Sequence, residues 1–206
     1  GTIIRLNLDF KNIHPVFDKV LSREEKQKLL NQHAIVVWMT GLSGAGKTTI
    51  ASNIAKQLNK LGYLTQILDG DNIRTGINNN LGFSEVDRYE NIRRISEVSK
   101  LFLDCGIVCI NSFISPTNEI RNMAKEIIGE DNLFEVFVDS PIEVCEQRDI
   151  KGLYKKARAG KIKNFTGIDS PFEIPSNPSL VLNTADKNVE VCVQELLEKL
   201  LPRIKY

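Results

Sequence analysis

Residues that hold transition metals are scarce in this chain. It has two histidines and four cysteines among 206 residues. The cysteines, Cys105, Cys109, Cys145 and Cys192, form no C-x-x-C pair and have no histidine at ligand spacing. That excludes a zinc site or a redox dithiol and reads as free thiols in a reducing compartment. An excess of one charge is also missing. The 27 Lys and Arg against 26 Asp and Glu leave a net charge of +1, and the basic residues are dispersed. No block of charge is present to hold nucleic acid or a membrane surface, so neither is expected as a partner. The longest apolar run, Ile35 to Met39, is far too short to span a bilayer, and no signal-peptide pattern opens the chain. A cytoplasmic location follows as the expectation. With repeats, low-complexity tracts and linkers absent as well, one domain accounts for the length, large enough to bury roughly 70% of its unfolded surface.

What the chain does have is a regular alternation. Apolar runs rich in branched residues occur at Ala34–Met39, Leu64–Leu68, Ile107–Phe113, Phe134–Val138 and Leu180–Leu182, with segments of three-to-four apolar spacing between them. Short unalternating strands separated by amphipathic helices predict an α/β fold, a parallel five-stranded sheet covered by helices on both faces. Trp38, inside the first run, is expected in the core. Residues 1–33 read as a polar arm with one short helix starting at Arg23, since Ser22-Arg-Glu-Glu25 has the capping-box spacing. Residues 34–206 form the domain. Within it, Arg148 to Pro175 is rich in Lys, Gly and Pro and lacks a strand or long helix, as an active-site lid would; a solvated basic loop is the plainer alternative.

Directly after the first run comes Gly41-Leu42-Ser43-Gly44-Ala45-Gly46-Lys47-Thr48, which fits G-x-x-x-x-G-K-[ST] and leads through Thr49 into a helical pattern. Glycines let backbone N–H groups converge on a phosphate, and the helix N-terminus adds partial positive charge. Lys47 would reach the β- and γ-phosphates of ATP, and the Thr48 hydroxyl would take a place on Mg²⁺. A glycine-rich turn without a ligand is the alternative, but the strand-to-helix setting favours the phosphate. The guanine-reading N-K-x-D is missing, because Leu61-Gly62 follow Asn59-Lys60. A small-molecule kinase with a water-excluding lid is therefore preferred to a GTPase.

The second run ends in Asp69-Gly-Asp71-Asn-Ile-Arg74. Ligands bind at the carboxyl ends of parallel strands, so both carboxylates should lie beside the phosphate loop. One could hold Mg²⁺ through water and the other could accept the proton of an attacking hydroxyl; either could instead only cap the next helix. Which is which stays open. Arg74 lies a turn further on, in reach of an anionic acceptor. On a helix starting near Ser84, Arg88 and Asn91 share a face that suits a doubly anionic substrate. Taken alone, such a charged helix is more often a solvated surface.

Together GLSGAGKTT, LDGDNIR, NLGFSEVDRYENIRR, FISP (Phe113–Pro116), FEVFVDSP and RDIKGLYKKARAGKIKNFTGID (Arg148–Asp169) resemble the adenylyl-sulfate kinase family, in order from about Ser22 to Thr184. The resemblance implies phosphoryl transfer from ATP to the 3′-hydroxyl of adenylyl sulfate. It also implies that Asp71, Arg74, Arg88 and Asn91 hold the acceptor, that Phe83 and Phe165 sandwich its adenine, and that Ile114, Ser115 and Asn164 line its pocket. Lys151 would close over the phosphates, Ser115 matches a serine described as a phosphorylated intermediate, and Arg148 and Thr184 would contact ATP. A homodimer and association with ATP sulfurylase are further implications. His14 and His33 fall outside every motif. Two rivals remain: a P-loop kinase for a nucleoside monophosphate or sugar acid, and a silent domain that only senses the product nucleotide, which the intact Gly46-Lys47-Thr48 disfavours.

Overall fold

A computed structural model describes residues 21–206; the Ile13–Asp18 stretch, His14 and the rest of the first twenty residues lie outside the described residues. Five strands form one sheet: β1 (Val36–Thr40), β2 (Thr65–Asp69), β3 (Val108–Ser112), β4 (Leu133–Asp139) and β5 (Leu180–Asn183). Their order is β2-β3-β1-β4-β5, and every pairing is parallel. All five carboxyl ends therefore share one edge, where Thr40, Asp69, Ser112, Asp139 and Asn183 stand in a row.

Both faces are covered, and that explains the unalternating sequence of the strands. Along β1, Val37 and Met39 face one way, into a core with Ile50, Ile54 and Leu58 of α2 (Lys47–Lys60) and Leu196, Leu200 and Ile204 of α8 (Val189–Ile204). Val36 and Trp38 face the other way, against Ile92 and Ile95 of α4 (Glu85–Asp104) and Ile120, Met123 and Ile128 of α5 (Asn118–Ile128). Each such fully buried aliphatic side chain contributes about 1.5–3 kcal/mol.

The helix starts follow local chemistry. Ser22 caps α1 (Arg23–Leu30) in a reciprocal capping box with Glu25, and the Ser84 hydroxyl accepts from Asp87 N at 3.2 Å to open α4. Helix α1 is tied to the segment before β1 and to the end of α4: Arg23 donates to Ala34 O at 3.0 Å, and Lys26 to Asp104 O at 2.9 Å. Asp69 caps α3 (Gly70–Thr75). The expected lid begins at the end of α6 (Ile142–Arg148) and contains only α7 (Leu153–Arg158), turns and one isolated bridge, Thr166 to Ser170.

Candidate active site

Three glycines shape the loop between β1 and α2. Gly41, Gly44 and Gly46 have φ of 147°, 78° and 102°, conformations that L side chains rarely adopt. At Gly41 the backbone also runs so close to β4 that a Cβ would sit 2.4 Å from Val138 O. Helix α2 starts without a side-chain cap, so its first N–H groups stay open to an anion. Lys47 is buried, and its Nζ donates to Gly41 O at 2.9 Å and Leu42 O at 2.7 Å. Burial pushes its pKa down to about 8, because a desolvated ammonium lacks a full counter-charge. A polyphosphate would supply that charge. Thr48 and Thr49 stand exposed in the first turn of α2.

Distant segments hold this loop from behind. The Thr184 hydroxyl, just past β5, donates to Ala45 O at 2.8 Å, and Arg148 reaches Gly44 O at 3.4 Å and Thr184 O at 2.5 Å. Tyr154 of α7 donates its hydroxyl to Ser43 O at 2.9 Å. Tyr154 is absent from the residues expected by sequence, although its place in KGLYKKAR, three after Lys151, was a usable clue.

The two carboxylates differ in surroundings. Asp69 Oδ2 accepts from the Thr48 hydroxyl at 2.8 Å, while Oδ1 caps α3 by accepting from Asp71 N at 3.1 Å. Ser112, paired in register with Asp69, brings its hydroxyl to 3.3 Å from Thr48 Oγ1. Sequence reasoning missed Ser112, since a serine at a strand end carries no local signature. Among the described residues no three His, Cys, Asp or Glu gather as a metal cluster. A hydroxyl–carboxylate pair of hard oxygens nonetheless fits Mg²⁺, which keeps several waters and takes phosphate oxygens as further ligands. Asp71 is exposed and forms an ion pair with Lys151 of the 148–175 segment.

The Arg74 guanidinium lies 4.4 Å over the ring of Phe83 and donates to Gly82 O at 2.8 Å. Phe83 is 62% exposed. Arg88 spans the site: it donates to Phe83 O at 2.9 Å, to the Thr166 hydroxyl at 2.5 Å, and to Asn164 O. The two aromatics are unlike, because Phe165 is buried edge-on against Tyr154, with centroids 4.9 Å apart. Thr166 is a further residue that sequence reasoning did not single out. Asn91 is buried too, its Oδ1 accepting from Asn78 Nδ2 at 3.0 Å. A cavity of about 580 Å³ opens beside the loop, between Leu42, the end of β4 and Gly167 and Phe172 of the 148–175 segment.

Ile114 O accepts from the Thr40 hydroxyl at 2.6 Å. Ser115 adopts a left-handed φ of 45° and is 2% exposed. Its hydroxyl is turned inward and accepts from the Trp38 indole N–H at 3.0 Å. To take up a phosphoryl group it would have to leave that partner.

A sheet of this order, with a G-x-x-x-x-G-K-T loop after its central strand and the 148–175 segment bonded to that loop through Arg148 and Tyr154, is that of a P-loop phosphotransferase of the small-molecule kinase class. The family model of adenylylsulphate kinase matches residues 33–183. The adenylyl-sulfate kinase of Bacteroides thetaiotaomicron is 60% identical over 194 residues, covering 94% of this chain and 96% of that protein. The APS kinase of Mycobacterium tuberculosis, solved in complex with AMPPNP and APS, superposes with a TM-score of 0.79 at 46% identity, over 82% of this chain and 98% of that one. A hexameric APS kinase from Thiobacillus denitrificans gives a TM-score of 0.63 at 28% identity, over 82% of this chain and 29% of that longer one. The chain belongs to the adenylylsulphate kinase family.

Proposed function

We propose that this chain transfers the γ-phosphoryl group of ATP to the 3′-hydroxyl of adenylyl sulfate, giving 3′-phosphoadenylyl sulfate and ADP in sulfate activation. Family membership supports the reaction, and one observation carries its mapping onto this chain: the ion pair between Lys151 of the lid and Asp71, beside the Thr48–Asp69 pair. It brings an acceptor-side carboxylate and a cation of the lid together where a phosphoryl group would pass.

The residues divide as follows. Backbone N–H groups from Gly41 to Thr49 cradle the donor phosphates, and Lys47 exchanges its two carbonyl partners for phosphate oxygens. Thr48 and Asp69, already joined by a hydrogen bond, are the residues that would hold Mg²⁺. When bound there, Mg²⁺ would supply positive charge to offset that of the phosphates. Asp71, with no such duty, accepts the 3′-hydroxyl proton, and Lys151 moves from it onto the transferring group. Arg74, Arg88 and Asn91 hold the acceptor, with Phe83 offering an open face to adenine and Phe165 closing from the lid. Ile114 and Ser115 contribute backbone to that pocket, and Arg148 and Thr184 support the ATP side.

Self-association is proposed on the example of the hexameric relative, with a homodimer as the minimal form. ATP sulfurylase, the source of the acceptor, is the proposed partner enzyme. A cytoplasmic location is supported by the free cysteines, and among the described residues no helix is long and apolar enough to cross a membrane.

Incubation with Mg-ATP and a panel of acceptors tests the reading. Adenylyl sulfate is expected to turn over fastest; faster turnover of AMP or gluconate would overturn it.

A further inference from the structure

One buried cation has no part in the chemistry above. Arg121 of α5 is 2% exposed, and its guanidinium joins four separate groups. Nε faces Glu135 Oε1 of β4 at 3.4 Å, Nη1 donates to Ser115 O at 2.6 Å, and Nη2 donates to Asn118 Oδ1 at 2.6 Å and Glu173 O at 2.7 Å. Lys125 shares Glu135 at 2.7 Å, so that carboxylate keeps a cation whatever Arg121 does. The Ser115 and Glu173 carbonyls are the telling partners. One belongs to the acceptor loop after β3, the other to the segment that closes the lid.

Two further bonds tie the same segments. Glu173 N donates to Pro116 O at 2.8 Å, and Glu173 Oε2 accepts from Asn118 N at 2.6 Å. The carboxylate thus sits on the first N–H of α5, where the helix dipole favours negative charge. Ser115 needs such anchorage, because a left-handed conformation costs a non-glycine residue about 1–2 kcal/mol. At its other end the lid is fixed by Arg148 to Gly44 and Thr184, on the donor side. The segment is thus anchored to the donor loop at one end and to the acceptor loop at the other, with Lys151 and Phe165 between the two anchors.

We infer that Arg121 and Glu173 form a tether that positions the acceptor: they hold the Ser115 loop and the end of the lid in one fixed relation, so that the adenylyl-sulfate pocket is set before substrate arrives. Neither is a catalytic residue. The inference rests on the proposed function for its acceptor, while the tether itself is a property of the ligand-free protein.

Glu173→Ala removes the bond to Asn118 N, and Glu173→Gln keeps an oxygen in its place. Steady-state kinetics and hydrogen exchange of the 164–173 amides in the ligand-free protein are measured for both. Glu173→Ala is expected to raise KM for adenylyl sulfate about tenfold, to leave KM for ATP within about twofold, and to speed exchange across 164–173. Glu173→Gln is expected to stay within about twofold of the parent in all three. Arg121→Lys retains a charge opposite Glu135 but cannot join both carbonyls, and should show the same acceptor-selective defect. The two KM values rising together, unchanged exchange in Glu173→Ala, or equal impairment in the glutamine variant would each overturn the tether. A parent enzyme that ignores adenylyl sulfate would instead refute the proposed acceptor, and the exchange measurement would still decide the tether.

Discussion

Replacing Gly41 with alanine tests how closely the phosphate loop is seated on the sheet. The new methyl carbon would lie 2.4 Å from Val138 O, about 1 Å inside ordinary contact. Val138 cannot yield, because it is fully buried in β4 and that strand is bonded to β1 on one side and β5 on the other. The loop must move instead, by about 1 Å, and its φ of 147° adds about 1–3 kcal/mol of backbone strain. Moving the phosphate-cradling N–H groups by that distance costs about a hundredfold in rate. Gly62→Ala is the control: it has φ of 91° but nothing within 4 Å, so it carries the strain without the clash. Measured as kcat/KM for ATP alongside thermal melting, Gly41→Ala should lose about a hundredfold and Gly62→Ala should lose only stability. If Gly41→Ala kept kcat/KM for ATP within about threefold, the close seating against β4 would not be what positions the loop.

Lys47→Ala should lower kcat by about 10²–10³-fold while the melting temperature stays within a few degrees, because burial already disfavours the ammonium it removes. Ser115→Ala should leave kcat within about tenfold but cost about 1–3 kcal/mol in denaturant titration, since the Trp38 N–H is then buried without a partner; a kcat loss as deep as that of Lys47→Ala would put the hydroxyl on the reaction path. Glu90 is held near a pKa of about 2 by hydrogen bonds from Arg93 and Arg94. Its depressed value means stability that is present above pH 4.5 and lost as the pH falls toward 2. Solvent screening limits Glu90→Gln to on the order of 1 kcal/mol at pH 7, and its difference from the parent should shrink over that acid window in chemical denaturation.

Much of the fold is written locally. Ala34–Met39 and Phe134–Val138 read as strands because a sheet covered on both faces needs no polar alternation, and they fall within two residues of β1 and β4. The Gly41–Thr48 loop is legible for a similar reason: its chemistry needs glycines, a lysine and a hydroxyl in one short contiguous order. What escaped is non-local. Tyr154 meets Ser43 across 111 residues and Arg121 meets Glu173 across 52, and no spacing along the chain announces either pairing. Ser115 shows the same limit, since the direction of its hydroxyl is decided by a tryptophan 77 residues earlier. Asn91 lay on the expected face of α4, but its burial against Asn78 is a property of packing.

The bond from Thr184 to Ala45 closes a span of 139 residues around the donor loop. During synthesis the Arg148 guanidinium follows 104 residues after Gly44, and the Thr184 hydroxyl comes only after β5 has been made. Contacts of such separation form late, after the chain has met the entropy of closing a large ring. A nascent chain carrying Gly41 to Thr48 but not yet Thr184 therefore lacks the hydroxyl that holds Ala45 O, and the loop is braced in full only once β5 is in place.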